Sequence, residues 1–139
     1  MKQLSYTLMC ITMWVTCASS QVAVIANLSV PLAKIEKSDL LDLYTGDMSL
    51  WTDGKAIVIC DLKQKGEVRD SFYSYLGKSP HRIKSIWLKR MLSGDADPPT
   101  FLDSEEEMLK KVASTPGAIG FVSLSKIDED VKTLLVIGQ

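Results

Sequence analysis

Strongly apolar runs alternate with amphipathic stretches along this chain. The run Val22–Asn27 is almost wholly apolar and β-branched, which predicts a strand buried on both faces of a sheet. Residues 55–61 form a second run of this kind. Between them, Ser38 is a suitable N-cap and Gly46 a suitable stop for a helix. Strand, helix and strand in this order predict a βαβ unit whose two strands are parallel.

Three further amphipathic stretches predict three more helices. The first spans residues 66–77, and the second begins with Ser79 as N-cap and Pro80 in its first turn. The third begins at a capping box in which Ser104 precedes Glu107. Their predicted buried faces are, in turn, Val68, Phe72, Tyr75 and Leu76; Ile83, Ile86, Trp87 and Met91; and Met108, Leu109, Val112 and Ala113.

Two more apolar runs, at residues 118–122 and 134–137, predict the strands that close the sheet. The sequence therefore predicts an α/β fold, with a mixed or mostly parallel sheet flanked by helices, in one domain over residues 21–139. Gly120 lies inside the first of these strands. A glycine there allows either a packed neighbour or a ligand to approach the backbone closely, and we favour packing.

The first twenty residues are typical of a secretory signal peptide. Lys2 is followed by a short apolar run, and residues 18–20 are the small residues that a signal peptidase accepts. This predicts cleavage near Ser20 and a periplasmic or secreted protein without stable membrane insertion. The alternatives are an N-terminal core helix, a membrane anchor, or lipidation at Cys17.

Composition excludes several classes of partner and chemistry. The chain has 139 residues and a net charge of -1, with acidic and basic residues interspersed, so neither nucleic acid nor an anionic membrane is an expected partner. The single histidine, His81, lies in the first turn of a predicted surface helix. No serine elbow, metal-spaced cluster or glycine-rich phosphate loop is present, so we expect no enzyme activity, no metal and no cofactor.

Cys60 is the single cysteine after residue 20, so no intramolecular disulfide is expected from there onward. Its place in an apolar strand predicts a buried, unreactive thiol. Trp51 and Trp87 are interpreted as packing residues rather than as stacking platforms for a ligand.

Three segments in order carry a family resemblance: VIANLSVPLAKIEKSDLLDLYTGDMSLWTDGKAI, RDSFYSYLGKSPHRIKSIWLKRMLSG and TPGAIGFVS. Together they resemble the periplasmic phosphate-binding proteins of ABC transporters, which have the type 2 periplasmic binding protein fold. The chain is more closely similar to the short, single-lobe phosphate ABC transporter substrate-binding proteins. The resemblance implies a solute-binding protein for phosphate or a related oxyanion, with an ABC transporter or a sensor as protein partner.

The resemblance also implies where an anion would bind, at the start of the helix over residues 66–77. A helix N-terminus has free N–H donors, and a guanidinium offers a fork of donors that matches phosphate oxygens. Lys65, Gly66 and Arg69 are the candidate residues there, although Glu67 places a carboxylate beside them. The alternative is that Arg69 pairs with Glu67 or Asp70 on a solvated face.

A second pair of candidates follows the first strand. Asn27 and Ser29 lie at its carboxyl end, where open α/β sheets place their ligand crevices. The alternative is that both side chains satisfy backbone groups of a turn. At the level of function, the alternative to solute binding is a ligand-free periplasmic interaction module that uses the same fold.

Overall fold

The computed structural model describes residues 21–138, so the expected signal peptide lies outside the described residues. Five strands and four helices follow one another, and all of them except the third strand are predicted by the alternating pattern. In chain order they are β1 (Val22–Asn27), α1 (Lys37–Thr45), β2 (Val58–Leu62), α2 (Glu67–Leu76), α3 (Pro80–Leu92), β3 (Thr100–Leu102), α4 (Glu105–Ser114), β4 (Ala118–Ser123) and β5 (Val131–Ile137). A short 3-10 turn at Leu124–Lys126 follows β4.

The strands form one mixed sheet in the order β3-β2-β4-β1-β5. Strand β2 is parallel to both β3 and β4, whereas β1 is antiparallel to both of its neighbours, β4 and β5. Four strands therefore run in one direction and β1 alone runs against them. The expectation of a mixed or mostly parallel sheet flanked by helices is confirmed.

The expected βαβ pairing of the first two strands was wrong. Strand β4 lies between β1 and β2, and β1 points the opposite way to both. The run Val22–Asn27 is buried along its whole length, so its apolar pattern fits a central strand in either direction. The parallel crossovers lie later in the chain, from β2 to β3 and from β3 to β4.

Strand β3 was not predicted, because its three residues are only partly buried and follow two prolines. The expected buried face of α3 was too wide, because it included Met91. Only Ile83 and Trp87 of that face are buried, and Met91 is 42% exposed. The helix therefore contacts the rest of the protein along a narrower stripe than its composition indicated.

Helices cover both faces of the sheet. On one face the Phe121 ring of β4 stacks on Phe72 of α2 at 4.0 Å, and Phe72 meets the edge of Tyr44 from α1. On the other face, Gly120 lies under Met108 of α4. A Cβ atom at Gly120 would lie 2.5 Å from the Met108 sulfur, so close packing explains this glycine.

The turn before β4 depends on a second glycine. Gly117 has a φ of 78°, and a Cβ atom there would lie 2.4 Å from the carbonyl oxygen of Ala56. The Trp51 indole donates to the Gly117 carbonyl at 2.9 Å, and the Trp87 indole donates to the carbonyl of Tyr44 at 2.8 Å. Both tryptophans are buried, which confirms their interpretation as packing residues.

Candidate functional site

A concavity lies where the parallel strands β2 and β3 end. The carboxyl ends of β2 and β3 each lead into a helix, so the first turns of α2 and α4 lie side by side. Between them is a solvent-facing pocket of about 320 Å³. Its wall includes three of the predicted residues, Lys65, Gly66 and Arg69. It is the position at which open α/β sheets bind ligands.

The first turn of α2 offers backbone donors. Gly66 is the N-cap and has no side chain to accept from the helix, unlike Ser79 and Ser104, which cap α3 and α4. Within residues 21–138, no side chain accepts a hydrogen bond from the amides of Glu67, Val68 or Arg69. These amides and the helix dipole are suited to an anion.

The Arg69 side chain has a buried partner. Its Nε lies 3.6 Å from Oδ1 of Asp61, and the two side chains are 14% and 6% exposed. The guanidinium also lies over the Tyr73 ring, 5.0 Å from its centre. Neither Glu67 nor Asp70, the partners considered from sequence, forms an ion pair with Arg69 among the described residues. Asp61 is the penultimate residue of β2, so the pairing depends on the helix folding back over the strand.

Asp61 is the centre of a buried polar cluster. Its Oδ1 accepts from the Leu62 amide at 2.7 Å, and its Oδ2 accepts from the Tyr73 hydroxyl. Burial raises the pKa of Asp61, although Tyr73, Arg69 and the Leu62 amide all act to lower it. Burial and the adjacent Asp61 carboxylate likewise raise the pKa of the Tyr73 hydroxyl. The cluster holds Arg69 at the pocket wall through the ion pair, and within residues 21–138 the buried Arg69 Nε has no hydrogen-bond partner.

The α4 side of the pocket is acidic. Glu105 accepts from the Ser123 amide at 2.5 Å, and its other oxygen lies 3.2 Å from the Lys126 ammonium. Glu106 lies 2.8 Å from the same ammonium. Burial opposes ionisation of Glu105, but the Ser123 amide and Lys126 outweigh it and hold the pKa of Glu105 below its ordinary value. The hydrogen bond from Lys126 also lowers the pKa of Glu106.

Sequence reasoning missed Lys126 and the two glutamates as pocket residues. The signal was present only in part, because the acidic first turn of α4 follows a strand too short to be recognised. Lys126 comes from a 3-10 turn more than fifty positions away from Lys65, and only the parallel pairing of β2 and β4 brings their ends together.

Asn27 and Ser29 lie at the opposite end of the strands from the pocket. Because β1 runs against its neighbours, its carboxyl end meets the start of β4 and of β5. The Asn27 amide donates to the carbonyls of Val112 and Ala113 at 2.8 and 3.0 Å, at the end of α4. Ser29 accepts from the amide of Gly117 at 3.1 Å. Both side chains satisfy backbone groups, and the structure does not bring them to the pocket.

Cys60 is buried and free, as its apolar strand predicts. Burial raises the pKa of its thiol to about 11. Among residues 21–138 no group of three or more His, Cys, Asp or Glu side chains is placed to hold a metal ion. Over the same residues, no helix is both long enough and apolar enough to cross a membrane.

Comparison with known proteins relates the fold to a class of binding proteins. No family model and no curated protein sequence matches the chain. Among solved structures, the chain is similar to a candidate phosphate ABC transporter substrate-binding protein from Clostridium perfringens with bound phosphate. The TM-score is 0.69 at 19% identity, over 84% of this chain and 45% of that one.

Two further structures agree with this. An ABC-type phosphate transport receptor from Vibrio cholerae matches with a TM-score of 0.65 at 20% identity, over 84% of this chain and 46% of that one. PstS from Borrelia burgdorferi matches with a TM-score of 0.62 at 15% identity, over 83% and 47%. This chain thus spans less than half the length of each. Residues 21–138 have the periplasmic binding protein fold that the sequence resemblance implied, over one part of these longer structures.

Proposed function

We propose that this protein is a periplasmic solute-binding protein of one lobe, which holds phosphate or a related oxyanion at the start of α2. The observation that carries the proposal is the first turn of α2. It begins at Gly66 without a side-chain cap, and its amides open into the pocket at the carboxyl edge of the sheet. An anion there would accept from backbone donors and interact favourably with the helix dipole.

Two cationic side chains support an anion at this place. Lys65 is exposed and adjoins the N-cap, so its ammonium is free to follow a ligand. Arg69 lies one turn inside the helix at the pocket wall, where its pairing with Asp61 fixes the guanidinium. A fixed guanidinium loses little conformational freedom when an oxyanion binds.

The proposal includes a second body that closes the site. The solved structures of similar fold are more than twice as long as the part of them that this chain matches. In the lobe described here the pocket is open to solvent on one side, so a bound anion would keep part of its hydration. We expect weak binding by the isolated chain and stronger binding when an ABC transporter, a sensor or another chain covers the pocket.

A second candidate function, a ligand-free interaction module, is favoured by the pairing of the pocket cations. Arg69 pairs with Asp61, and Lys126 pairs with two glutamates. Lys63, beside the pocket, pairs with Asp103 at 3.4 Å. In that case the fold would present a surface to a protein partner, and no oxyanion would bind.

The test is calorimetric titration of the protein with phosphate and with sulfate, at low and at moderate salt. Glu67→Ser removes a negative charge from the first turn of α2 and should strengthen phosphate binding about two- to fivefold. Lys65→Gln should weaken it by a similar factor. Both residues are exposed, so these variants leave the core unchanged. Lys34→Gln, an exposed lysine outside the pocket, is the matched control.

Arg69→Ala should weaken binding more, about ten- to a hundredfold, because the charge-assisted hydrogen bonds of a guanidinium are stronger. That variant also leaves Asp61 without its cation, so its fold must be checked by circular dichroism. If neither oxyanion binds at millimolar concentration and Glu67→Ser changes nothing, the solute-binding proposal is wrong and the interaction module takes its place.

A further inference from the structure

The outer face of α3 carries apolar side chains that are exposed to solvent. Leu88, Met91 and Leu92 are 49%, 42% and 89% exposed. The inner face of the same helix is buried through Ile83 and Trp87. With about 3.6 residues per turn, Leu88 and Leu92 lie one above the other on the side facing away from the protein. They are the outermost ridge of the helix.

Basic residues flank this ridge on both sides. Lys84 lies on one side of the ridge, the side of Met91. Lys89 lies on the other side, and Arg82 is next to Lys89 around the helix. All three are exposed, and none of them forms an ion pair within residues 21–138. Arg90 differs, because it points toward α1 and pairs with Asp47.

Negative charge is absent from this part of the chain. None of the 17 acidic residues lies between Asp70 and Asp95, an interval that contains the whole of α3. Acidic and basic residues are interspersed over most of the chain and sum to -1, so composition alone indicates no membrane partner, but this interval is an exception. A helix with an exposed apolar ridge, lysines on its flanks and no acidic residue is typical of helices that lie in a lipid interface.

We propose that the outer face of α3 binds the surface of an anionic phospholipid membrane. Leu88, Leu92 and Met91 would enter the boundary between headgroups and acyl chains. The long methylene stems of Lys84 and Lys89 let their ammonium groups stay among the phosphates. A protein partner fits less well, because lysine is depleted in protein interfaces relative to the rest of the surface and no aromatic side chain is exposed on α3. This role is independent of the oxyanion pocket.

The experiment is co-sedimentation with vesicles of phosphatidylcholine containing phosphatidylglycerol, and with vesicles of phosphatidylcholine alone. Protein purified from its own host keeps the N-terminus that the cell gives it. We expect binding to the anionic vesicles that weakens with added salt, and little binding to the neutral ones. Lys84→Gln with Lys89→Gln should weaken binding about fivefold for each lysine removed. Leu88→Ser with Leu92→Ser should weaken it about tenfold or more.

A matched control uses residues outside α3. Leu28 is 60% exposed and Lys34 is exposed, so Leu28→Ser with Lys34→Gln removes the same kinds of group while leaving α3 intact. This control should bind as the wild type does. All substitutions are at exposed positions, and circular dichroism verifies the folded state. The proposal is overturned if the wild type does not bind anionic vesicles, if it binds neutral vesicles equally, or if the control loses as much binding as the α3 variants.

Discussion

Gly120→Ala tests whether the packing of α4 on the sheet excludes a side chain at this strand position. The new Cβ atom would lie 2.5 Å from the sulfur of Met108, 3.2 Å from a methyl group of Val112 and 3.4 Å from the Cβ of Cys60. Ordinary contacts between carbon atoms are about 3.5 to 4.0 Å long, so the Met108 sulfur must move by about 1 Å. Met108 and Val112 are fully buried, which leaves little room for that movement.

The expected loss of stability is about 1 to 2 kcal/mol. Overpacking a core costs about 1 to 3 kcal/mol. Replacing glycine by alanine also lowers the conformational entropy of the unfolded chain, which offsets about 0.4 to 1 kcal/mol of this loss. The backbone at Gly120 is not in the left-handed region, so no strain adds to these amounts. In urea unfolding, with a slope of about 1 to 3 kcal/mol per molar, the midpoint should fall by about 0.3 to 2 M.

Two further variants separate steric clash from other causes. At Gly66 a Cβ atom would meet nothing within 4 Å, so Gly66→Ala should change the free energy of unfolding by no more than about 0.5 kcal/mol. Met108→Ala alone should cost about 2 to 5 kcal/mol. Combined with Gly120→Ala it should cost less than the sum, because the truncated side chain leaves room for the new methyl group. The reasoning is refuted if Gly120→Ala is neutral, or if the two losses simply add.

Three other outcomes are expected. With Cys10 and Cys17 replaced by serine, the native protein should not react with a maleimide until urea unfolds it, because Cys60 is buried and its pKa is raised to about 11; rapid native labelling would show that β2 opens. Tyr73→Phe removes a donor that acts to lower the already raised pKa of Asp61, so that pKa should rise further. A carboxyl group whose pKa is higher in the folded than in the unfolded protein stabilises the fold at low pH, and this stability is lost as the pH rises above the unfolded-state pKa. This variant should therefore lose more stability at pH 7 than at pH 4. Equal losses in urea unfolding at the two pH values would contradict the role of Asp61. N-terminal sequencing of the exported protein should find a start near Gln21, whereas an intact Met1 would contradict a cleaved signal peptide.

Local sequence signals determined the helices of this protein and most of its strands. Ser79 and Ser104 cap α3 and α4 with their side chains, as predicted. Ser38, the predicted N-cap of α1, was wrong, because it lies inside that helix, whose N-cap is Glu36. The buried character of β1 and of Cys60 also follows from short apolar runs. These features could be predicted because capping and local apolar pattern are interactions between near neighbours in the chain.

The candidate site could be predicted only in part. The start of α2 and the position of Arg69 one turn inside it follow from the sequence, because a helix fixes the spacing of its own residues. The partner of Arg69 does not follow, since Asp61 reaches it only when α2 folds back along β2. The acidic wall of the pocket could not be predicted either, because it follows β3, an edge strand with only three residues and little apolar pattern.

Strand direction was decided by the tertiary structure alone. A strand buried on both faces has the same apolar pattern whichever way it runs, so nothing in Val22–Asn27 distinguishes a parallel from an antiparallel neighbour. Strand β1 runs antiparallel to β4 and β5. Asn27 and Ser29 therefore lie at the end of the strands opposite the pocket that contains Lys65, Gly66 and Arg69. The sequence thus determined most of the elements that form, with β3 as the exception. The packing of the whole sheet decided which of their ends meet, because that depends on contacts between residues far apart in the chain.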